Sequence, residues 1–413
     1  MIMKKFLLAN YSSITLFSSF QTMAESPNYF FYYFPHQQKN LKPLNPDSWQ
    51  KLFIKNQPTS PEFFSWINHT THRKSLLKTI TNNFILMIMK TSILAISTSI
   101  ALFSSLSTVA ETTKILPIIK QQKQVSGYYQ YQAGDVQITA LLDGTNFMSP
   151  KLFQSTPEKE VHAILKKYAA DQAKGVQTSV NAFLVNTGHS LVLVDSGAAS
   201  CFGARLGSVL SNLKVSGYQP EQVDTILLTH LHPDHVCGIS QNGVANFPNA
   251  TVYVSNDEAN YWLNPKQVEK LPKEKQAGYL GTVEKIKQAI APYQAKQRFK
   301  TYQLGDQVQG FKVINTAGHT PGHFSYELKT KDETVVFIGD IVHSHTVQFD
   351  KPETAIDYDI DPKKAVQTRL KQFAEYAKGG QTIAAPHLPF PAIGHIYSAD
   401  GKSYQWIPVH FKD

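Results

Sequence analysis

The sequence is poor in cysteine and in charged side chains. Only two of its 413 residues are cysteines, Cys201 and Cys237. This number excludes a small domain held together by several disulfides. It leaves open two separate apolar side chains or one bridge formed in an oxidising compartment. The charged fraction of 17% and the hydrophobic fraction of 42% exclude a disordered chain and indicate a folded globular protein.

A strong charge of one sign is missing from most of the chain. The net charge is +9, but residues 1–110 contain ten Lys or Arg residues against three Asp or Glu residues. Residues 111–413 are therefore nearly neutral. This distribution does not predict a nucleic-acid partner, because binding to a phosphate backbone needs a basic surface.

Two further absences concern the organisation and the chemistry of residues 111–413. No linker rich in Pro, Gly or Ser interrupts this range, so it predicts one domain. No Gly-x-Ser-x-Gly motif is present either, and that motif carries the serine nucleophile of α/β-hydrolases. A catalytic serine on such a turn is therefore not predicted.

Residues 87–110 resemble a secretory signal peptide. A single positive charge at Lys90 precedes the apolar residues 91–106, and a small-x-small cleavage pattern ends at Ala110, directly before Glu111. The apolar run is short for a membrane helix. The pattern predicts an exported chain, periplasmic or secreted, that keeps no membrane anchor after cleavage.

The signal-like segment has a second copy further upstream. Residues 1–26 repeat residues 87–112, with identity at fifteen of twenty-six positions. We interpret residues 1–26 as a duplicated signal-peptide-like segment. Residues 27–86 form a spacer without a sustained helical or alternating pattern. The functional domain is predicted to be residues 111–413.

Short apolar segments alternate with helical patterns through the rest of the chain. Residues 136–142 alternate as a strand and are predicted to end at the Asp143-Gly144 turn, while residues 158–173 have helical spacing. Residues 182–185 and 191–194 predict a pair of strands. Such a mixture favours one domain with two sheets inside and helices outside.

The densest group of polar side chains follows a predicted buried strand. Residues 229–235 (THLHPDH) contain three imidazoles and one carboxylate. These groups bind zinc and similar divalent ions. If the loop stays extended, His230 and His232 converge on one ion. The start of a helix would then turn Asp234 and His235 toward a second ion.

Three more candidate ligands stand where later predicted strands end. His319 lies in GHTPGH, Asp340 follows VVFI, and His387 follows TIAAP. Each of them alone is more often a structural residue than a ligand. Together with the first group they supply enough ligands for two metal ions.

This ligand order, HxHxDH followed by His, Asp and His, resembles that of the metallo-β-lactamase superfamily. Within it, segments such as FLVNTG, LVLVDSGAA, GHTPGH, VQFD and AKGG are similar to methyl parathion hydrolase and its relatives over residues 128–409. The resemblance implies an αββα sandwich of two mixed β-sheets flanked by helices. It also implies two divalent ions, with zinc as the expected metal, and a possible homodimer.

The resemblance assigns each candidate residue a role. One ion would be held by His230, His232 and His319. The other would be held by Asp234, His235 and His387, with Asp340 bridging the two. Asp234 and Asp340 would be the catalytic residues, and Asp195 would brace the metal loop from behind.

The resemblance also implies a substrate pocket. Phe202, Trp262 and Tyr279 would surround the substrate, and the hydroxyl of Tyr279, where relatives have Phe, would make the pocket more polar. Among the remaining histidines, His323 and His395 are expected to be structural. The edge of the pocket is a possible place for His343 and His345.

The implied activity is hydrolysis by a hydroxide that bridges two metal ions about 3.5–4 Å apart. The expected substrate is a small, uncharged organophosphate triester or aryl ester. A lactonase, including the acyl-homoserine lactone type, is the alternative with the same site. A β-lactamase is less favoured because Asp340 replaces the cysteine ligand of the commonest class. An iron-dependent oxygenase is less favoured because the second set of metal ligands is complete.

Overall fold

The computed structural model of the protein describes residue 120 and residues 124–411. The segments predicted at 1–26, 27–86 and 87–110 lie outside these residues, so the boundaries at the front of the chain stay predictions. Within the described residues, no helix is both long enough and apolar enough to cross a bilayer.

Strands and helices alternate along the described chain. The strands are β1 Tyr128–Ala133, β2 Val136–Met148, β3 Phe153–Gln154, β4 Val176–Asn186, β5 Leu191–Val194, β6 Thr225–Leu227, β7 Ser240–Gln241, β8 Val244–Ala245, β9 Thr251–Ser255, β10 Phe299–Tyr302, β11 Gln307–Val308, β12 Phe311–Asn315, β13 Phe324–Lys329, β14 Thr334–Phe337, β15 Ala355–Ile356, β16 Thr382–Ala384, β17 Ile393–Tyr397 and β18 Gln405–Pro408. The helices are α1 Glu158–Lys167, α2 Val209–Val215, α3 Pro233–Val236, α4 Asn256–Leu263, α5 Lys273–Gln294, α6 Val347–Asp350 and α7 Pro362–Gly379.

Most strands belong to two seven-stranded sheets. The first has the order β1-β2-β4-β5-β6-β9-β10, and the second has the order β11-β12-β13-β14-β16-β17-β18. The neighbours from β5 to β10 and the pair β14–β16 are parallel, while the other pairs are antiparallel. Parallel neighbours need long crossover connections, and the helices α2 to α7 lie in these connections.

The buried side chains show how the sheets are layered. Successive residues of a strand point to opposite faces. On β4, Phe183 and Val185 belong to the core shared by the two sheets, whereas Ala182 and Leu184 face the core formed with α2 and α5. The ring of Phe183 meets that of Phe337 on β14 at 5.7 Å. The predicted αββα sandwich with two mixed sheets is confirmed.

The strand predicted at 136–142 does not end at Asp143-Gly144. β2 continues to Met148, and its register with β4 shifts between Leu142 and Gly144, which marks a bulge. The buried Asp143 carboxylate accepts the backbone N–H groups of Ala198 (2.9 Å) and Val209 (3.2 Å). These long-range bonds hold an Asp-Gly pair inside a strand, although the pair alone predicts a turn.

The helix predicted over 158–173 ends earlier, at Lys167. Its buried face of Val161, Ile164 and Leu165 stops there, and Ala169 takes a positive φ of +53°, which ends the helical path. The later helix α7 begins and ends at residues that favour helix ends. The side chain of Asp361 accepts a backbone N–H before the first turn, and Gly380 at φ +67° follows the last.

Candidate metal centre

The predicted ligands meet at one rim of the sandwich and come from both sheets. His230 follows β6 of the first sheet, and His319 lies between β12 and β13 of the second. Asp340 follows β14 and His387 follows β16, and because these two strands are parallel their carboxyl ends share an edge.

The ligand atoms form two clusters that share this rim. His230, His232, His319 and Asp340 make the first, and Asp234, His235 and His387 make the second; within each, all ligand atoms lie within 4.8 Å of one another. The split follows from the backbone. His232 is extended at φ −62°, ψ 150°, and α3 then begins at Pro233, which turns the next two side chains away.

Asp340 lies between the two clusters. Its Oδ1 is 3.2 Å from Nε2 of His235, while its Oδ2 is 3.2 Å from Nε2 of His319 and 3.1 Å from Nε2 of His387. One carboxylate therefore contacts histidines of both clusters. This is the position that a bridging ligand requires.

Three imidazoles are oriented by a partner on their outer nitrogen. Nδ1 of His235 lies 3.0 Å from Asp195, and Nδ1 of His319 lies 2.9 Å from Asp359. Nδ1 of His387 lies 2.9 Å from the carbonyl oxygen of Ser179. In each pair the ring N–H donates outward, so the inner Nε2 is left as a lone pair for a metal ion.

Several inner atoms have no hydrogen-bond partner among the described residues. They are Nε2 of His230, Nε2 of His235 and Oδ1 of Asp340, all of them buried; the last two lie 3.2 Å apart without the geometry of a hydrogen bond. In addition, Nδ1 of His232 and Nε2 of His319 approach to 2.8 Å. Such a buried set is costly unless a cation satisfies it. The seven residues therefore fit a site for two divalent ions.

The electrostatics of the cluster also favour a cation. Burial opposes the charged form of His319, but Asp340 and Asp359 outweigh it and raise the pKa of His319 to about 9. The same competition raises the pKa of His235 through Asp340 and Asp195. Nearby histidines likewise hold the pKa of Asp340 well below its usual range despite burial. Positive charge is thus stabilised between these groups.

Asp195 and the residue after it tie the metal-ligand segment to β5. Besides His235, the Asp195 carboxylate accepts the N–H and the hydroxyl of Thr229, the residue before the first ligand. The backbone N–H and the hydroxyl of Ser196 both donate to the carbonyl of His235. Asp195 therefore holds both ends of the candidate metal-ligand segment through hydrogen bonds.

A second buried carboxylate, Glu258 on α4, was not predicted from the sequence. Its Oε1 accepts the N–H of Leu231 and the indole N–H of Trp262, at 2.9 and 2.7 Å. Its Oε2 accepts the hydroxyl of Thr320 and the N–H of Gly322, at 2.6 and 3.1 Å. Glu258 thus joins the HxHxDH segment to the segment that carries His319.

The structure places His323 behind Asp340. Nε2 of His323 accepts the backbone N–H of Asp340 at 2.8 Å, and its Nδ1 faces Thr316. Burial lowers the pKa of His323 to about 3, so the ring stays neutral and keeps this acceptor. His395 lies on β17 and contacts the carbonyl of Gln381, away from the clusters.

A cavity of about 290 Å³ opens onto the clusters. It is lined by apolar side chains, by ligand candidates and by a few polar groups: Asn146, Met148, Thr178, Val180, Phe202, Leu206, His232, Pro233, Asp234, Thr282, Lys285, His319, Asp340, His343, Tyr358 and His387. Phe202 is 48% exposed at its edge.

Of the three aromatic residues predicted to surround the substrate, one lines the cavity and two do not. Phe202 lines the cavity, whereas Trp262 and Tyr279 are buried and lie outside its lining. Trp262 packs edge-on against His232 and stacks on Tyr279. The Tyr279 hydroxyl donates to the carbonyl of Tyr261 at 2.6 Å, so it does not make the described cavity more polar.

Of the two histidines considered for the pocket edge, His343 reaches the cavity. Its Nε2 lies 3.1 Å from Oδ2 of Asp340, and its ring stacks on that of His387. Tyr358, which sequence reasoning missed, adjoins it. His345 is absent from the lining.

No pattern in the sequence marks Asp359 or Glu258 as a residue of the site. Asp359 is one of three aspartates at 357–361, and only the fold shows which of them turns to His319. Glu258 stands in the first turn of a helix, where acidic residues are common for electrostatic reasons.

The two cysteines form a disulfide between Cys201 and Cys237. Cys237 directly follows α3, and Cys201 directly precedes Phe202. The bridge therefore joins the metal-ligand segment to the edge of the cavity, and it settles the alternative that the sequence left open.

Comparisons with known proteins agree with this geometry. The family model of the metallo-beta-lactamase superfamily matches residues 175–378, a range that contains every predicted ligand except His387. This match, together with 86% identity to a solved hydrolase of the beta-lactamase superfamily, shows that the chain belongs to the metallo-β-lactamase superfamily.

Among solved structures, the hydrolase AbOPH of the beta-lactamase superfamily is 86% identical. The match covers 70% of this chain and all of AbOPH, with a TM-score of 0.70. A comparison with curated proteins gave no match.

Two more distant structures share the fold. One is AidC, a dizinc quorum-quenching lactonase with a bound homoserine product, at 24% identity, covering 70% of this chain and all of AidC, with a TM-score of 0.63. The other is a probable metal-dependent hydrolase from Staphylococcus aureus, at 19% identity, covering 68% of this chain and all of that one, with a TM-score of 0.54. The closer resemblance to methyl parathion hydrolase stays a prediction.

Proposed function

We propose that this protein is a dinuclear metal-dependent hydrolase of small, uncharged esters, either aryl esters or organophosphate triesters. The observation that carries the proposal is a largely apolar cavity that ends on two adjoining His/Asp clusters. Met148, Val180, Phe202 and Leu206 supply the apolar part of the lining. An apolar group of the substrate would bind there, with its ester group at the clusters.

The charges around the cavity favour a neutral substrate. Besides histidines, Lys285 is the one cationic side chain in the lining. Its Nζ donates to the carbonyl of Cys201 at 3.2 Å and lies 5.1 Å from the ring centre of Phe202. A lysine engaged in this way is poorly placed to recognise an anionic substrate at the clusters.

The carboxylates of the site would have different roles in hydrolysis. Two divalent ions, for which zinc is our proposal, would polarise the attacked C=O or P=O group and lower the pKa of a water. Asp340 contacts both clusters and would hold the ions at a fixed separation. Of the two candidate ligand carboxylates, Asp234 is the one partly open to the cavity, so it is the one that a bound substrate would contact. Asp195 and Asp359 keep the imidazoles in the tautomer that ligation needs.

A lactone is the second candidate substrate, including acyl-homoserine lactones. It is a cyclic ester that presents the same carbonyl group to the clusters. AidC, whose fold this chain shares, is a dizinc lactonase. Lactones therefore belong in the first assay beside esters and triesters.

The decisive experiment measures bound metal and catalytic rates on the same preparation. Metal is determined by elemental analysis, and initial rates are measured on methyl parathion, an aryl ester and several lactones. About two equivalents of divalent metal with hydrolysis of the esters or the triester are expected from the dinuclear site. Two equivalents with a preference for lactones would select the second candidate. One equivalent of iron without hydrolysis would overturn the proposal.

Two variants test the assignment of the ligands. Asp340→Asn and His387→Ala should bind less than two equivalents of metal and lose at least about a hundredfold in kcat/KM, because each removes a ligand of the dinuclear site. Asp332→Asn is the matched control, since Asp332 is exposed on a turn between β13 and β14. Full activity and full metal content in both ligand variants would contradict the assignment.

We further propose that the mature chain is exported. The signal-like residues 87–110 are one support, and the disulfide is another, because such bridges persist in oxidising compartments. Mass spectrometry of the protein from its native cell fraction would test this. An N-terminus near Glu111 in an exported fraction is expected, and an uncleaved chain in the cytoplasm would contradict it.

A further inference from the structure

Residues 199–207, here called the wall loop, form one side of the cavity. Phe202 and Leu206 of this loop line the cavity. Residues 200 and 202–205 are exposed, whereas Leu206 is buried against Val180 and Ala198. Residues 202–204 of the wall loop therefore have little packing of their own to keep them in place.

Further cavities lie along the wall loop. One of about 380 Å³ is lined by wall-loop residues together with Asp143 and Asn246. Another, of about 370 Å³, is lined by wall-loop residues together with both cysteines and Lys285. Space on several sides allows a loop to move, since displaced side chains meet few atoms.

Two contacts tie residues 201 and 202 of the wall loop to the rest of the described chain, while the carbonyl of Arg205, further along the loop, packs against Gly144 on β2. One is the disulfide from Cys201 to Cys237. The other is made by Lys285 on α5, through its hydrogen bond to the carbonyl of Cys201 and its position over the Phe202 ring. The disulfide is the covalent one of the two, and it is adjacent in sequence to Phe202.

The metal-ligand segment has its own attachments, independent of the bridge. The carbonyl of His235 accepts two bonds from Ser196, and the N–H of Gly238 donates to the carbonyl of Gly197 at 3.0 Å. Nδ1 of the same histidine is held by Asp195. Opening the bridge would thus free the wall loop and leave the ligands in place.

We propose that the Cys201–Cys237 disulfide positions the wall of the substrate cavity, so that binding of substrates with a large apolar group depends on the bridge while the chemistry at the metal clusters does not. The inference rests on the proposed function for its kinetic test. Reduction by a dithiol breaks the S–S bond, gives the thiols of Cys201 and Cys237, and converts the dithiol to its own disulfide.

The kinetic test compares the oxidised protein with a variant that carries both Cys201→Ser and Cys237→Ser. The substrates are 4-nitrophenyl acetate, which has a small acyl group, and 4-nitrophenyl octanoate, which has a long one. For the octanoate, KM should rise roughly three- to tenfold with kcat little changed, because binding contacts are lost and the reacting atoms are not moved. For the acetate and for bound metal, no change is expected.

Dithiothreitol opens the disulfide without mutation. Because it also binds metal ions, its effect is measured on the double variant as a control. On the oxidised protein it should reproduce the KM change of the double variant. On the double variant it should have no effect. An equal effect on both proteins would show that the reagent acts on the metal, and it would overturn the redox part of the proposal.

A measurement without substrate reports on the wall loop directly. Arg205 is exposed in the loop and is a cleavage site for trypsin. In the double variant, cleavage after Arg205 should be several-fold faster, because cleavage needs local opening of the loop. Cleavage after Arg298, which lies outside the wall loop, should not change.

The results distinguish a failure of this proposal from a failure of the proposed function. Equal octanoate KM values and equal cleavage rates at Arg205 would overturn the role of the disulfide, whatever the enzyme hydrolyses. If neither protein hydrolyses any ester, the proposed function fails. The trypsin experiment would still decide whether the bridge holds the wall loop.

Discussion

At the scale of single residues, Glu258 shows how a carboxylate far from the reacting atoms supports the metal centre. Its two oxygens accept four hydrogen bonds. One comes from the N–H of Leu231, one from the indole of Trp262 on the same helix, and two from Thr320 and Gly322. Every one of these partners is a donor. The group therefore has to be an acceptor on both oxygens, which an ionised carboxylate provides.

Glu258→Gln is expected to weaken both the fold and the metal site. The amide N–H₂ would face donors, which leaves buried groups unpaired at a cost of about 1–3 kcal/mol in the free energy of unfolding. Metal affinity should fall about tenfold or more, because support behind the ligands is lost. Urea unfolding and titration against a competing chelator measure the two effects.

Glu274→Gln is the control for this substitution, since Glu274 is exposed in the first turn of α5. It should leave the urea midpoint and the metal affinity nearly unchanged. Equal values for the two variants would show that the position of Glu258 has no special role.

His323 gives the protein a predictable sensitivity to acid. Its pKa is lowered to about 3 by burial, so at pH between about 3 and 6.5 the unfolded chain binds a proton that the folded chain does not. The stability contribution of the neutral ring is complete above pH 6.5. It is lost as the pH falls, by about 1.4 kcal/mol per pH unit.

His323→Gln should reduce this acid sensitivity, because the Gln side chain offers an acceptor to the N–H of Asp340 and does not titrate. The measurement is the free energy of unfolding of metal-free protein in urea, at several values between pH 4.5 and 7. His189→Gln, an exposed change on the β4–β5 turn, is the control. If the free energy of unfolding of His323→Gln depends on pH as strongly as that of the wild type, His323 is not the source of the acid sensitivity.

The residue scale also shows what the sequence could predict about the site. The seven candidate ligands could be proposed from the sequence because four of them are crowded into residues 229–235, and the others sit at the ends of predicted strands. Glu258 and Asp359 could not be predicted, because only the packing of distant segments brings them to Leu231 and His319. Trp262 and Tyr279 were assigned to the pocket by resemblance, and their side chains lie outside the lining of the described cavity.

At the scale of elements, the bulge in β2 is where the sequence pattern leads to a wrong prediction. Asp143-Gly144 has the composition of a hairpin turn, yet the chain continues as a strand to Met148. The decisive contacts are to Ala198 and Val209, which are distant in sequence. Periodicity is a local signal, so it predicted β5 and the last part of β4 and could not detect this bulge.

Gly144→Ala is expected to destabilise the protein strongly. Gly144 has φ +152°, and a Cβ there would stand 2.0 Å from the carbonyl oxygen of Arg205 in the wall loop. Gly188→Ala is the matched control, because Gly188 has φ +81° with nothing within 4 Å of the new Cβ. Backbone strain alone costs on the order of 1–3 kcal/mol in both variants. Gly144→Ala also has the clash, so it should lose more free energy of unfolding than the control. Thermal and urea unfolding compare the two, and equal losses would contradict the clash.

At the scale of the whole molecule, a chain that begins at Glu111 should be as active as the full chain. The residues of both sheets, both cores and the metal centre all follow that position. The truncated protein is expected to have the same kcat/KM, metal content and unfolding temperature. Loss of solubility or of activity on truncation would mean that residues 27–86 contribute to the functional protein.

The overall architecture was predictable because each sheet is built from segments with a clear local pattern. β4 and β5 alternate between two buried faces, and the central parallel strands are short apolar runs. The edge strands β10, β11 and β18 were not predicted. They are paired on one side and consist mostly of exposed or half-buried residues, so their local pattern is weak.

The distribution of the ligands over both sheets has a consequence for folding kinetics. Neither sheet alone offers the ligand set of the first cluster, since His230 follows β6 and His319 and Asp340 belong to the second sheet. A transition state that has assembled one sheet therefore has no complete site. Added zinc should leave the refolding rate unchanged and slow unfolding, because an ion that binds the native state alone stabilises it after the barrier. Stopped-flow experiments with and without zinc would show whether metal uptake is the last step in the formation of the protein.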